Sequence, residues 1–307
     1  MDGNGVGDEE APGVVRRRFA EAAREERPDL ALLCLLIGAE AARGAQGGTL
    51  ASASDEQRDP QDEEAAVDRL VDEGQAELDR LAGLLPYERG RTPAQWAQAL
   101  EQTLGEQLGF GGSAADYQRL ESSLLPEVLR RRRGLPILLS VVWTEVARRA
   151  GAPVYGVALP GHFVVGFGDP GDLHVLADPF GGGKQLDEEE LSVMVAGATG
   201  GTPLSAASLR PAGPLETVLR ILNNIRAWAS SRPEQSGVRL WAVELSLLLP
   251  HHPGRLRFER AQLLVERGDF IRGAREMEEY ADVVAAMEPN AAENVRRAAR
   301  AARARLN

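Results

Sequence analysis

The spacing of apolar residues changes twice along the chain, and each change predicts a change of secondary structure. Up to about position 151 the apolar residues recur three or four positions apart, which is typical of amphipathic helices. In residues 65–85, for example, Val67, Val71 and Leu78 fall on one helical face. We therefore expect residues 28–112 to form a helical N-terminal region.

Capping residues indicate where two of these helices begin. Thr92 precedes Pro93, which predicts an N-cap followed by proline at the first helical position. Ser123 stands ahead of Pro126 in "SSLLPEVLRRRRG", and it is predicted to cap the helix that ends before a glycine.

The next helix is predicted to be buried on all sides. Its sequence "LPILLSVVWTEVARRAG" is apolar nearly all round, which places such a helix inside a domain. Pro136 opens it, and Arg148 and Arg149 followed by Gly151 are a normal basic C-terminus and glycine stop.

After this helix the apolar period falls to two, which predicts β-strands in "VYGVAL", "HFVVGF" and "LHVLAD". A hairpin centred on Pro170 would pair Val164 with Leu176 and His162 with Asp178. Side chains directly opposed in such a pair lie about 5 Å apart on one face. We therefore predict that His162 and Asp178 are hydrogen-bonded.

From Pro214 onward the pattern is helical again. Residues 254–290 approximate one tetratricopeptide helix pair, with imperfect spacing. A generic helical hairpin is the alternative interpretation. The basic, Ala-rich end "RRAARAARARLN" indicates a terminal capping helix, with nucleic-acid binding as a minor alternative.

Composition and charge narrow the classes of function. The net charge is −11 and the pI about 5.1, which argues against non-specific binding to nucleic acid or to an anionic membrane. Cys34 is the only cysteine, so an internal disulfide is excluded. No apolar run approaches the roughly twenty residues of a membrane helix, and the first residues lack a signal-peptide pattern. We expect a cytoplasmic protein.

These patterns divide the chain into four predicted segments. Residues 1–27 begin with a Gly-rich, acidic stretch and are predicted to be disordered. The helical region 28–112 contains a polar, small-residue linker at 43–64. Residues 113–213 are predicted to form an α+β core, and residues 214–307 a tetratricopeptide-like helical tail.

The central motifs resemble those of a known family. The run "SSLLPEVLRRRRGLPILLS", followed by "PGHF" and "DPFGGG", resembles the bacterial transglutaminase-like family of SirB-type homologues. This resemblance implies a transglutaminase-like, cysteine-protease-like core, and a helical tail of tetratricopeptide character is usual for the family. In this chain Ser122 stands where the family has Asn, and Leu138 stands where it has Ser.

The resemblance also implies a site from which the nucleophile is missing. Active transglutaminase-like enzymes place Cys at the N-terminus of the buried helix, where the helix dipole and a nearby His stabilise the thiolate. Here Pro136 takes that position, so His162 and Asp178 remain as a catalytic pair without a nucleophile. Ser140, one turn further on, and Cys34, in an apolar helix, are poor substitutes.

Two functions remain open from the sequence. One is a non-catalytic scaffold or regulator that binds a protein or peptide in a cleft beside His162. The other is a hydrolase or acyltransferase that combines His162 and Asp178 with an unrecognised nucleophile. Glycines and phenylalanines of the two motifs would line the cleft, namely Gly161, Phe163, Phe180, Gly181 and Gly182.

No cofactor or metal is predicted. The adjacent His251 and His252 lack the spacing of a metal site, and "FGGGK" lacks the ending of a phosphate loop.

Overall fold

The computed structural model describes residues 13–47, 60–201 and 205–306. Within these ranges the chain forms α-helices on both sides of one short run of strands. The helices before the strands are Val14–Ala22 (α1), Leu30–Gly47 (α2), Pro60–Gly83 (α3), Pro93–Leu100 (α4), Leu125–Arg131 (α5) and Pro136–Arg149 (α6). The helices after them are Glu188–Thr199 (α7), Pro214–Ser230 (α8), Ser236–Leu248 (α9), Arg255–Glu266 (α10), Phe270–Val284 (α11) and Pro289–Arg303 (α12).

The strands form one antiparallel sheet in chain order. They are Val154–Val157 (β1), Val164–Gly168 (β2), His174–Asp178 (β3) and Lys184–Leu186 (β4). The first three are the strands that the period of two predicts. The alternation had not indicated β4, because it has only three residues and lies directly after a glycine run.

The predicted pairing of the central hairpin is wrong by two positions. Leu176 lies opposite Gly166 rather than Val164, so the hairpin is centred on Gly171 and not on Pro170. The Asp169 N–H donates to the Leu173 carbonyl, which continues the same register to the turn and leaves residues 170–172 between these two residues. A shift of two keeps every side chain on its predicted face, because the side-chain period of a strand is two.

Helix α6 is buried behind the sheet, as its apolar pattern predicts. Val142 and Val146 are fully buried, and Trp143 packs edge to face on Phe110 with ring centroids 6.1 Å apart. Pro136 is its first residue, so the helix begins where the sequence indicates.

The two predicted caps have different outcomes. Thr92 caps α4 through a capping box with Gln95, as expected. The prediction for Ser123 is wrong, because Leu124 is the N-cap of α5 and no side chain caps it. Ser123 lies instead in a preceding 3-10 turn, which leaves its hydroxyl outside the cap.

The prediction of disorder over residues 1–27 is wrong for α1. Val15 and Phe19 are buried on one face of this helix, and Arg16 pairs with Glu40 and Glu244. Burial of that face stabilises α1. The prediction of disorder followed from the Gly-rich residues that precede this helix in the sequence. Residues 1–12 lie outside the described residues. The predicted linker at 43–64 is described only at its two ends, where residues 43–47 belong to α2 and residues 60–64 to α3.

One large hydrophobic cluster joins the N-terminal helices, α6, the sheet, α8 and α9. Helices α10 to α12 hold a separate cluster that includes Ala261, Ala274 and Ala299. Helix α8 therefore belongs to the main core, although it lies beyond residue 213. None of the helices in the described ranges combines the length and apolar character needed to span a membrane.

Candidate functional site

His162 and Asp178 are hydrogen-bonded, as predicted. The His162 Nε2 atom lies 2.8 Å from Asp178 Oδ1, and both side chains are largely buried. Asp178 ends β3, while His162 lies just before β2, beyond the paired part of the strand. The prediction of this bond holds although the predicted register is wrong, because a shift of two positions leaves both residues on the same face of the sheet.

A tight turn and one arginine hold His162 in place. The His162 N–H donates to the Leu159 carbonyl at 3.3 Å, and Gly161 adopts the left-handed backbone conformation between them, with φ of 71°. Arg220 of α8 donates from one Nη2 atom to the carbonyls of Leu159 and His162, at 2.5 and 2.7 Å. Helix α8 thus fixes the backbone that carries the imidazole.

Asp178 is held by the loop that follows it. The Phe180 N–H donates to Asp178 Oδ1 at 3.0 Å, so the carboxylate receives a backbone donor as well as the imidazole. The Phe180 ring stands edge-on to His162, with centroids 5.9 Å apart, and edge-on to Tyr117 at 6.0 Å. Partial burial and the charge of Asp178 raise the pKa of Tyr117.

Of the glycines after Asp178, Gly181 is exposed, whereas Gly182 and Gly183 pack against the segment that follows α4. A π-helical segment, Glu101–Gln107, follows α4 directly, and its Gly105 meets the carbonyl of Gly182 so closely that a Cβ at Gly105 would stand 1.9 Å from that oxygen. The Gly112 N–H also donates to the Phe180 carbonyl at 2.9 Å. These glycines allow two backbone segments to touch.

A cavity of about 240 Å³ opens beside His162. It is lined by Tyr117, Arg119, Ser123, Leu135, Pro136, Ile137, Gly161, His162, Phe163, Arg220, Asn224, Ala227 and Trp228. Of the predicted binding residues, Gly161 and Phe163 line it. The remaining three, Phe180, Gly181 and Gly182, do not line it; they belong to the loop that holds Asp178.

The cavity contains the first turn of α6 but no thiol. Pro136 lines it, at the position where the family resemblance implies the nucleophile. Cys34 is buried in α2, where burial raises the pKa of its thiol, so the thiolate needed for attack is disfavoured. Ser140 is fully buried and donates to the Phe163 carbonyl at 3.1 Å.

Sequence reasoning missed the wall that α8 contributes. Arg220, Asn224 and Trp228 lie four positions apart and share one helical stripe. That stripe adjoins the buried face carrying Val218 and Ile225. The spacing was visible in the sequence, but nothing local indicated that the stripe faces a strand sixty residues away.

A larger, shallower hollow of about 690 Å³ lies between β3, β4 and the start of α7. Its wall includes His174, Lys184 and Glu190, and the last two form an exposed ion pair. None of the residues of the His162 cavity line it, so we do not assign it to the same site. In the described ranges no group of three or more His, Cys, Asp or Glu side chains has the arrangement to hold a metal ion.

Comparison with known proteins extends these observations. A family model described as the transglutaminase-like superfamily matches residues 61–223, and a tetratricopeptide repeat model matches residues 225–307. A UPF0162 protein from Xylella fastidiosa is 37% identical over 164 residues, which cover 52% of this chain and 58% of that protein. F-box only protein 21 from Mus musculus is 27% identical over 171 residues, covering 53% of this chain and 26% of that protein.

The matched stretch thus spans less than two thirds of either relative. Among solved structures, a crystal structure of menin that reveals its binding site for the Mixed Lineage Leukemia protein aligns with 92% of this chain and 68% of that one. At 12% identity and a TM-score of 0.40, this similarity is too low to indicate a shared fold or function. The family matches confirm the predicted resemblance, the α+β fold class and the tetratricopeptide character of the tail.

Proposed function

The chain belongs to the transglutaminase-like superfamily, and from its site we propose that it is a non-catalytic scaffold or regulator that binds a protein or peptide segment beside His162. One observation carries this proposal: Pro136 occupies the first turn of α6 in the same cavity as His162. A proline side chain cannot attack a carbonyl or carry an acyl group.

The remaining pair supports proton transfer and binding but not acyl transfer. His and Asp can move and stabilise a proton, but the acyl intermediate needs a nucleophile that bonds to carbon. The first turn of α6 leaves the N–H of Ile137 without an intrahelical acceptor, and Ile137 lines the cavity. A peptide carbonyl or an anion can be held there without being cleaved.

The helical tail supports a role in protein binding as well. Tetratricopeptide repeats stack helix pairs into extended surfaces that bind other chains. A partner held by both the tail and the cavity would gain avidity from two weak contacts. We propose that the protein binds its partner in the bacterial cytoplasm, and that neither nucleic acid nor a membrane takes part.

The test compares two histidine variants of the full-length chain. His162→Ala removes the cavity histidine, whereas His174→Ala removes a histidine of β3 outside this cavity. We expect affinity capture followed by quantitative mass spectrometry to show lower partner recovery for His162→Ala alone. Circular dichroism checks that both variants are folded. If a folded His162→Ala protein recovers every partner at the wild-type level, the proposal fails.

Truncation is not a suitable substitute for this test. Removing the chain after Pro214 would also remove Ile221 and Leu222 of α8, which are fully buried in the main core. Loss of binding would then report misfolding. Substitutions in the intact chain avoid that ambiguity.

The second candidate function is that of a hydrolase or acyltransferase. The position of Ser123 in the cavity favours it. Ser123 is not a helix cap, and it lines the same cavity as His162. In this alternative its hydroxyl attacks the acyl carbon of a substrate and passes its proton to His162. The bond between that carbon and the leaving group then breaks, and the leaving group takes the proton from His162. A fluorophosphonate probe would label wild type but not Ser123→Ala. Absence of labelling, together with His162-dependent capture, supports the scaffold.

A further inference from the structure

The cavity beside His162 has a charge opposite to that of the chain. The net charge of the chain is −11, yet the cavity lining contains Arg119 and Arg220 and neither Asp nor Glu. Asp178 lies behind the imidazole, where its Oδ1 atom already accepts from His162 and from the Phe180 N–H. The cavity therefore presents an uncompensated positive charge to whatever enters it.

Neither guanidinium has a carboxylate partner in the described part of the chain. Arg220 is half-buried and donates only to two carbonyls, and burial lowers its pKa against the opposing effect of Glu216. Arg149 and Arg226, which are comparably buried, each pair with a carboxylate. A buried charge without a counter-charge costs free energy, so the position of Arg220 is unusual within this protein.

Arg119 is exposed, and among the described residues its side chain has no hydrogen bond or ion pair. It is therefore free to turn toward a ligand. The positive end of α6 adds to the same field, since Ile137 lines the cavity and lies in the first turn of a 14-residue helix. Two arginines and a helix N-terminus thus act on one small volume.

Another part of the wall is apolar. Leu135, Ile137 and Phe163 are buried side chains that reach the cavity. The indole N–H of Trp228 is buried without a partner, so what Trp228 presents to the cavity is ring carbon. Arg232 stacks on that ring at 4.5 Å and holds it in place.

We propose that this cavity binds a carboxylate carried on an apolar peptide segment, with the carboxylate between Arg119 and Arg220 and the apolar part against Ile137, Phe163 and Trp228. The volume of about 240 Å³ equals on the order of eight water molecules, so it takes one or two side chains or a chain end. The assignment rests on the proposed function, because it names the chemistry that the binding cavity selects.

The test uses three short peptides and the intact ¹⁵N-labelled protein. N-acetyl-Leu-Phe carries a terminal carboxylate, its C-terminal amide carries none, and N-acetyl-Glu-Phe-amide carries a side-chain carboxylate. The readout is the indole resonance of Trp228, assigned with a Trp228→Phe variant. We expect at least one carboxylate peptide to bind about tenfold more tightly than the uncharged amide, as for a charge-assisted hydrogen bond. Which of the two binds identifies the source of the carboxylate.

A matched pair of variants links binding to the arginines. Arg119→Gln should weaken the carboxylate peptide by about threefold to tenfold and leave the amide unchanged. Arg257→Gln alters an exposed arginine of α10 and should change neither. Because Arg119 is exposed and its side chain has no hydrogen bond or ion pair with the described residues, its loss is not expected to disturb folding.

Three results would overturn the inference. Equal affinity for all three peptides means that the cavity binds peptides without selecting a carboxylate, and the proposed function then survives. Failure of every peptide to shift Trp228 at 10 mM removes the carboxylate assignment, while the capture experiment with His162→Ala still decides the scaffold independently. Displacement of the peptide by inorganic phosphate at equal concentration shows a general anion site instead.

Discussion

Substituting Gly105 by alanine tests whether the π-helical segment positions Asp178. A Cβ at this position would lie 1.9 Å from the carbonyl oxygen of Gly182 and 2.9 Å from its carbon. Carbon atoms of real side chains do not approach closer than 3.0 Å, so the two segments must separate by about 1.1 Å. The obstacle is backbone on both sides, and no rotamer change relieves it.

The separation has a definite energetic cost. The loop is tied by the Gly112 N–H to the Phe180 carbonyl at 2.9 Å, and adding 1.1 Å would break that bond. One lost hydrogen bond costs about 1 kcal/mol, and overpacking a filled site costs about 1–3 kcal/mol. Alanine returns less than about 1 kcal/mol through its helix propensity. We expect Gly105→Ala to lower the free energy of unfolding by about 2 kcal/mol.

Urea unfolding followed by circular dichroism measures this change, and Gly197→Ala is the matched control. Gly197 lies within α7, and a Cβ there meets nothing within 4 Å, so its substitution should stabilise the protein by about 0.5–1 kcal/mol. The two substitutions add the same methyl group to a helix with opposite signs of effect. If Gly105→Ala is as stable as Gly197→Ala, the close approach of the two segments does not position the loop.

Two further predictions follow from buried groups. Iodoacetamide should modify Cys34 slowly in the native protein and quickly in urea, because burial raises the pKa of the thiol and excludes the reagent; rapid native modification would place Cys34 at the surface. Ser140→Ala should lower the free energy of unfolding by about 1–2 kcal/mol, because the buried Phe163 carbonyl loses its donor, whereas Ser192→Ala on α7 should change it by less than about 0.5 kcal/mol; equal values in urea unfolding would contradict this.

The hydrogen bond between His162 and Asp178 was predictable because it depends on side-chain parity. Counting across the hairpin gave the wrong partner for Leu176, yet it still placed both site residues on the same face. The turn length was not predictable, since loops of several lengths can join two antiparallel strands and the sequence does not show which of them closes this hairpin. A register error of one position would have predicted the two side chains on opposite faces of the sheet.

The walls of the cavity were less predictable. Arg220 and Trp228 reach it because α8 crosses behind the Gly161 turn, and that packing depends on the whole core. The glycines of "DPFGGG" were interpreted as lining for a ligand, whereas Gly182 and Gly183 lie against the backbone of the π-helical segment. Sequence alone shows that a residue is small but not what fills the space beside it.

The proposed ligand follows from the chemistry that the missing cysteine would have required. A reactive thiolate is an anion stabilised by a helix N-terminus and neighbouring cations. In this chain the N-terminus of α6 and the guanidinium of Arg220 adjoin the cavity, but Pro136 supplies no anion for them. The cavity lining carries these positive groups and no carboxylate, so in our proposal it attracts a negative charge from a ligand. A carboxylate on a partner chain would meet that requirement without any reaction, and this is the chemical link between the proposed scaffold function and the proposed ligand.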